Sequence, residues 1–346
     1  MKNLTRQNPR QLIVAQELIN KVKSKCCGIK VLLGASLILS LLASCQQKEN
    51  LQNVSDELNL SMEASVYASS GSSRVSTDES GVTTFSEGDE LGFFMPEEDE
   101  PVKWTLSGSQ WTPEFPLSWK DKVSKFSYCA YYPYSSEATV RGDIPMPDLS
   151  LQKGTLAGIG EFDFLTARCE VSYQETDNGK VSFTGESSFR HAYSLISITI
   201  KKDLPEENVL ISQASFKGDN LFGNSTYHFA ESEAEDGISY LELPEVDALT
   251  LNFEEPVTVV EDTGYTLFLL CNPQDLVEDS EFSISYQRDG VSYTASTQKL
   301  GNQFAAGKYY QFILKLTKAE LSLEGCEVSD WISEKLPEIA IEETPT

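Results

Sequence analysis

This chain offers little to acid–base catalysis. Two histidines, His191 and His228, serve all 346 residues. His191 lies in the aromatic and apolar segment Phe189-Arg190-His191-Ala192-Tyr193-Ser194-Leu195, where a structural role fits better than a proton relay. The sequence holds no Gly-x-Ser-x-Gly nucleophile elbow, no Gly-x-x-x-x-Gly-Lys-Ser/Thr phosphate loop and no His-x-x-x-His zinc pair. The acidic stretch Glu231-Ser232-Glu233-Ala234-Glu235-Asp236-Gly237 does not supply a calcium loop either. With Gly237 at the sixth loop position, Leu243 falls where a bidentate acid is needed, so a solvated loop is expected. The expectation is a protein with no catalytic residue, no cofactor and no metal.

Basic residues are also scarce, 27 Lys and Arg against 53 Asp and Glu for a net charge of −26. Nucleic-acid partners are excluded, because phosphates need cationic side chains. Long apolar runs are missing too. The nearest approach, Val31–Ala43, is shorter than the ~20 positions of a membrane-spanning helix. No cysteine pair has Cys-x-x-Cys spacing. Cys129, Cys169, Cys271 and Cys326 read as isolated buried thiols, although an oxidising compartment would permit disulfides of unassigned pairing. Helical periodicity is nearly absent, and a single turn over Ser329–Lys335, around Trp331, is the main exception.

What the N-terminus does contain is a targeting signal. Seven basic residues and one acid, Glu17, precede the apolar run, which ends at Leu42-Ala43-Ser44-Cys45. That ending matches a bacterial lipobox, so residues 1–44 read as a lipoprotein signal peptide and Cys45 as the acylated first residue. Two acyl chains anchor stably where one does not. Without this leader, 20 basic and 52 acidic residues remain, a net charge of −32. An acidic surface of that size suits a soluble outer-surface protein.

Residues 45–57 are polar and aperiodic, and read as a tether. From Leu58 onward, period-two alternation dominates, as in Leu58–Ala64, Phe126–Tyr132 and Ile196–Ile200. Asn178-Gly179 and Asp289-Gly290 are hairpin dipeptides that tolerate positive φ. Many short strands with almost no helix predict β-sandwiches. The length suggests two domains, 58–202 and 203–346, with the boundary near Lys201–Pro205. Arg141-Gly142-Asp143 reads as an ordinary turn before it reads as an integrin motif. Trp104, Trp111 and Trp119 read as packing before they read as a sugar platform.

Five stretches in order resemble the fimbrillin (Mfa-like) family, the lipoprotein subunits of type V pili. They are Phe85-Ser86-Glu87-Gly88-Asp89-Glu90-Leu91-Gly92-Phe93-Phe94, Phe126-Ser127-Tyr128-Cys129-Ala130-Tyr131-Tyr132-Pro133-Tyr134, Asp163-Phe164-Leu165-Thr166-Ala167, Phe189-Arg190-His191-Ala192-Tyr193-Ser194, and Gly307-Lys308-Tyr309-Tyr310 with the later Trp331. The residues themselves suggest structural roles. Gly88 permits a tight turn, and Asp89 can bind nearby amides. Phe126, Tyr128, Ala130 and Tyr132 share one strand face, and Pro133 ends that ladder.

The resemblance implies an all-β fold of two tandem transthyretin-like sandwich domains and an outer-membrane lipoprotein precursor. It also implies an arginine-directed cut that removes the first strand, and a donor strand from the next subunit to replace it. Here that strand is Leu58–Tyr67. The loop Ala68-Ser69-Ser70-Gly71-Ser72-Ser73 leads to Arg74, which is a candidate cleavage site or a plain loop residue. The alternating tail Ile339-Ala340-Ile341 could act as a donor. Stalk, tip and anchor roles all fit these features. The partners implied are other pilin subunits, the outer membrane and a host surface or glycan. A surface glycan-binding lipoprotein is the competing reading, and an enzyme working through paired carboxylates comes third.

Overall fold

The computed structural model describes residues 58–67, 76–77, 82–203, 207–241, 248–276, 280–297, 300–318 and 321–331. Cys45, the tether, Arg74 and the tail Ile339-Ala340-Ile341 lie outside the described residues. The fold is all-β. The single α-helix among the described residues is the four-residue Ile159–Phe162, and no helix there is long and apolar enough to cross a membrane.

Strand alternation sorts the apolar residues into two cores. A six-stranded sheet runs in the order Arg190–His191, Leu165–Val171, Phe126–Tyr132, Glu90–Phe94, Pro101–Ser107, Gln110–Pro113. Its central strand is buried on both faces. Tyr128, Ala130 and Tyr132 face the first core with Phe126 packed beside them, as their shared spacing predicts. Cys129 and Tyr131 face the second core. Asp89 does bind a nearby amide: its Oδ2 accepts from Ser86 N at 2.6 Å, beside Gly88 at φ +86°.

Two four-stranded sheets contribute most of the second core. One orders Tyr265–Cys271, Ser194–Lys202, Lys308–Leu316, Leu321–Asp330. The other orders Ala248–Thr258, Val209–Lys217, Glu281–Arg288, Val291–Thr297. Ser194–Lys202 pairs antiparallel with Tyr265–Cys271 and parallel with Lys308–Leu316. The last strand of the half expected to end near Lys201–Pro205 therefore pairs with strands of the half expected to follow it. Ile196, Ile198 and Ile200 all belong to the second core. Ile144–Pro145 also pairs with Ser225–His228, so hydrogen bonding crosses the expected division.

Both predicted turn dipeptides adopt positive φ, 54° and 77° at Asn178-Gly179, and 49° and 81° at Asp289-Gly290. Asp289-Gly290 closes a true hairpin, in which Arg288 opposes Val291. Asn178-Gly179 does not. Ser172 and Glu175 form a capping box on a short 3-10 turn, which diverts the chain to the opposite layer. Lys180–Phe183 then pairs with the first strand instead of Leu165–Val171. Where the turn over Ser329–Lys335 was expected to begin, Ser329 and Asp330 instead continue a strand, bonded across to Lys308–Leu316, and residues 332–335 lie outside the described residues.

Candidate functional site: the seat of the first strand

The first strand sits outside the six-stranded sheet. Ser61–Ala64 pairs parallel with Lys180–Phe183, in the register Ser61 to Lys180 and Ala64 to Phe183. Upstream it runs antiparallel to residues 117–119, where Leu60 N donates to Leu117 O at 2.9 Å and Trp119 N donates to Leu58 O at 2.7 Å. Downstream, Ser65 N donates to Phe183 O at 3.0 Å, and Tyr67 N donates to Phe189 O at 2.8 Å. Consecutive amides of an extended chain point to opposite sides, so the strand changes partner between Leu60 and Ser61.

Its side chains alternate as the sequence predicts. Leu60, Met62 and Val66 are 6%, 5% and 1% exposed and belong to the first core, with Leu58 and Ala64 packed against it. Asn59, Ser61 and Glu63 are exposed, and Glu63 meets Lys180 at 3.4 Å and the Ser182 hydroxyl at 2.8 Å. Beyond the strand, the Arg190 guanidinium lies 4.3 Å from the centre of the Tyr67 ring.

Gly179 fixes the point where the strand changes partner. Its carbonyl accepts from Ser61 N at 3.2 Å and from Trp119 Nε1 at 2.9 Å. A Cβ there would lie 2.7 Å from Asn59 O, so glycine is required for contact as well as for φ. The Asn-Gly signal in the sequence gives the turn but not this second role, which depends on a strand 118 positions away in the chain, as the pairing Ser61–Gly179 shows.

The aromatic side chains behind the seat are packing residues. Trp104, Trp111 and Trp119 are all buried, and edge-on contacts join Trp119 to Tyr128 at 5.2 Å and Trp111 to Phe85 at 5.3 Å. With both faces enclosed, none offers a ring for sugar stacking. Burial also pushes the thiols of Cys129 and Cys169 up to about 11 and about 12, and both are free, as are buried Cys271 and exposed Cys326.

The remaining sequence candidates take structural roles. His191 and Asp163 form a buried pair, Nδ1 to Oδ2 at 2.9 Å, and the imidazole stacks on Trp331 at 3.4 Å with an interplanar angle of 8°. Three of the motifs read separately in the sequence therefore meet at one point. His228 is apart from it, its Nε2 lying 2.9 Å from Glu235 O. Arg141 of the Arg-Gly-Asp sequence is not displayed. Its guanidinium donates to Met95 O at 2.7 Å and Glu98 O at 3.0 Å, over the Phe94 ring. In the acidic loop, Asp236 turns inward to pair with Arg168 at 2.7 Å, the two side chains being 8% and 10% exposed.

Comparison with known proteins agrees with this architecture. The sequence model described as fimbrillin-like matches residues 73–331. A Bacteroides ovatus protein described as a fimbrium tip subunit is 26% identical over 176 residues. That match covers 46% of this chain and 32% of the relative, so the chain spans about a third of its length. Among solved structures, one described as a cell adhesion protein from Bacteroides ovatus aligns with a TM-score of 0.55 at 14% identity. It covers 81% of this chain and 99% of its own. A fimbrial protein from Bacteroides vulgatus aligns at 0.52 and 13% identity, covering 79% and 99%. These likenesses establish a shared fold.

Proposed function

Since the chain belongs to the fimbrillin-like family, we propose that it is a structural subunit or tip adhesin of a type V pilus, carried at the cell surface or in the fimbrium. The precursor is held at the outer membrane by lipid on Cys45. A protease cuts after Arg74, the first strand Leu58–Tyr67 leaves, and a donor strand from the next subunit fills the seat. Its partners are then other pilin subunits, and none of its residues is assigned a catalytic role.

One observation carries this reading: the first strand fills the core yet pairs with nothing in the six-stranded sheet. Its departure would break no hydrogen bond within that sheet. The seat left behind would expose apolar pockets at the places of Leu60, Met62 and Val66, beside unpaired backbone on Lys180–Phe183. Backbone of this kind recruits an extended segment, and alternate side chains then fill the pockets. Burial of each large side chain contributes roughly 1.5–3 kcal/mol, which keeps the strand in place until the chain is cut.

Limited trypsin treatment followed by N-terminal sequencing tests the scheme. A new terminus at Val75, together with conversion to SDS-resistant oligomers, supports it. Resistance at Arg74 to the matching host protease refutes removal of the strand and fits an anchor subunit that keeps it.

A further inference from the structure

The strongest unassigned feature is the outer face of the sheet that holds Val209–Lys217 at its centre. Directly opposed residues share a face, so the strand register defines rows across it. Ser215 opposes Thr250 and Ser283, and Ser283 opposes Ser296, giving one row of four hydroxyls. The next row is Asn252, Gln213, Ser285 and Thr294. Neither row contains a charge or an apolar side chain, in a chain with 53 acidic residues. Lys217 and Glu281 occur one row further on.

A second observation falls on the same face. The register shifts between Ile211 and Gln213, leaving Ser212 in a bulge whose hydroxyl donates to Ser285 O at 3.1 Å. Bulges bend a strand and re-aim its side chains. Here a shallow depression of about 320 Å³ opens among Ser212, Ser285, Gln287, Ser292 and Thr294, and it is also lined by Tyr286 and Tyr293. Some polar groups of the face bond one another, as Gln213 Nε2 does to Asn252 Oδ1 at 2.8 Å. Among the described residues, the Ser283, Ser285, Thr294 and Ser296 hydroxyls make no side-chain hydrogen bond, and Thr294 and Ser296 are exposed.

We infer that this face is a docking surface for a neutral glycan. A protein partner would need an apolar or aromatic centre to bury, and these rows have none. A polyanion would be repelled by the chain's net charge of −26 and would meet no cation within the rows. A neutral sugar polymer presents hydroxyls that both donate and accept. It can bond such rows directly or through bridging water. Neighbouring strands are about 4.8 Å apart, which sets a regular array of hydroxyls against a repeating chain of rings. Serine and threonine also lose little side-chain freedom when they are held. The site is separate from the first-strand seat and does not depend on strand removal.

The test is affinity electrophoresis of the full chain in gels containing dextran, α-mannan or hydroxyethylcellulose, with alginate as the anionic comparison. At least one neutral polymer should retard the protein, and alginate should not. Thr294→Glu and Ser296→Glu change exposed side chains, and should weaken retardation roughly tenfold, the scale of one or two lost hydrogen bonds. Val123→Glu adds the same charge at a position 71% exposed elsewhere, and should leave retardation intact. Circular dichroism verifies that each variant is folded. The inference is overturned if no neutral polymer retards folded protein, if alginate does so equally, or if the face variants behave like Val123→Glu. It is also overturned if those variants instead abolish a dimer seen by sedimentation, which would make a second copy the occupant.

Discussion

Met62→Ala separates the two faces of the first strand. Met62 is 5% exposed, on the side that faces the first core. Its neighbour Glu63 faces water, in a pair with Lys180 whose side chains are 39% and 47% exposed. Truncating a buried methionine to alanine costs about 2–5 kcal/mol, through lost transfer energy and the cavity left behind. The lower half of that range applies here, because the strand is short and its surroundings can relax. Glu63→Ala removes an exposed ion pair and should cost no more than about 1 kcal/mol. Urea unfolding of the uncut chain, with both variants measured at a common slope, gives the two values. A difference of about 2 kcal/mol is roughly a 30-fold change in the folding equilibrium. After cleavage at Arg74, the Met62 variant should also release its first strand sooner. Equal costs for the two variants, or a larger one for Glu63, would refute the burial pattern and the strand-seat reading with it.

Replacing Cys45 with Ala should abolish metabolic palmitate labelling, and retained label would show that lipid is carried elsewhere. His191→Ala leaves the buried Asp163 carboxylate without its imidazole. A loss of about 1–3 kcal/mol in urea unfolding is expected, with a change in tryptophan fluorescence as Trp331 loses its stacked partner. Glu175 is held down to about 2, first by its hydrogen bond from Lys125 and then by the Ser172 amide. Its folded value lies below its unfolded value near 4.5. The support it gives to the Ser172–Thr176 turn is therefore complete above that pH and lost as pH falls toward 2. Carboxyl chemical shifts followed by NMR should show the low midpoint, and Lys125→Ala should raise it.

Period-two alternation in a single chain of residues was enough to decide the β character, the inward face of Leu60, Met62 and Val66, and the shared face of Tyr128, Ala130 and Tyr132. Side-chain direction in a strand depends only on position along it. The same locality explains why both turn dipeptides took positive φ. Pairing is different, since it is settled between segments far apart in sequence. Nothing near Asn178-Gly179 announces that Lys180–Phe183 will pair with Ser61–Ala64 instead of folding back on Leu165–Val171. For the same reason Ser194–Lys202 was assigned to the earlier half, although its partners are Tyr265–Cys271 and Lys308–Leu316.

The residues around the site divide along the same line. Composition alone disfavoured catalysis and nucleic acid, because charge and residue type need no fold to be counted. The lipobox reading likewise rests on contiguous residues. Only the tertiary structure joined Asp163, His191 and Trp331, or showed that Arg141, in a segment read as an ordinary turn, donates to Met95 and Glu98. Gly92 shows why. A Cβ there would come 2.1 Å from the Tyr131 ring, so the glycine is required by a residue on a neighbouring strand. The hydroxyl rows of the outer face come from three cross-strand registers at once. Each strand supplies an unremarkable alternation of small polar residues, and the array exists because hydrogen bonding between backbones sets the strands in step.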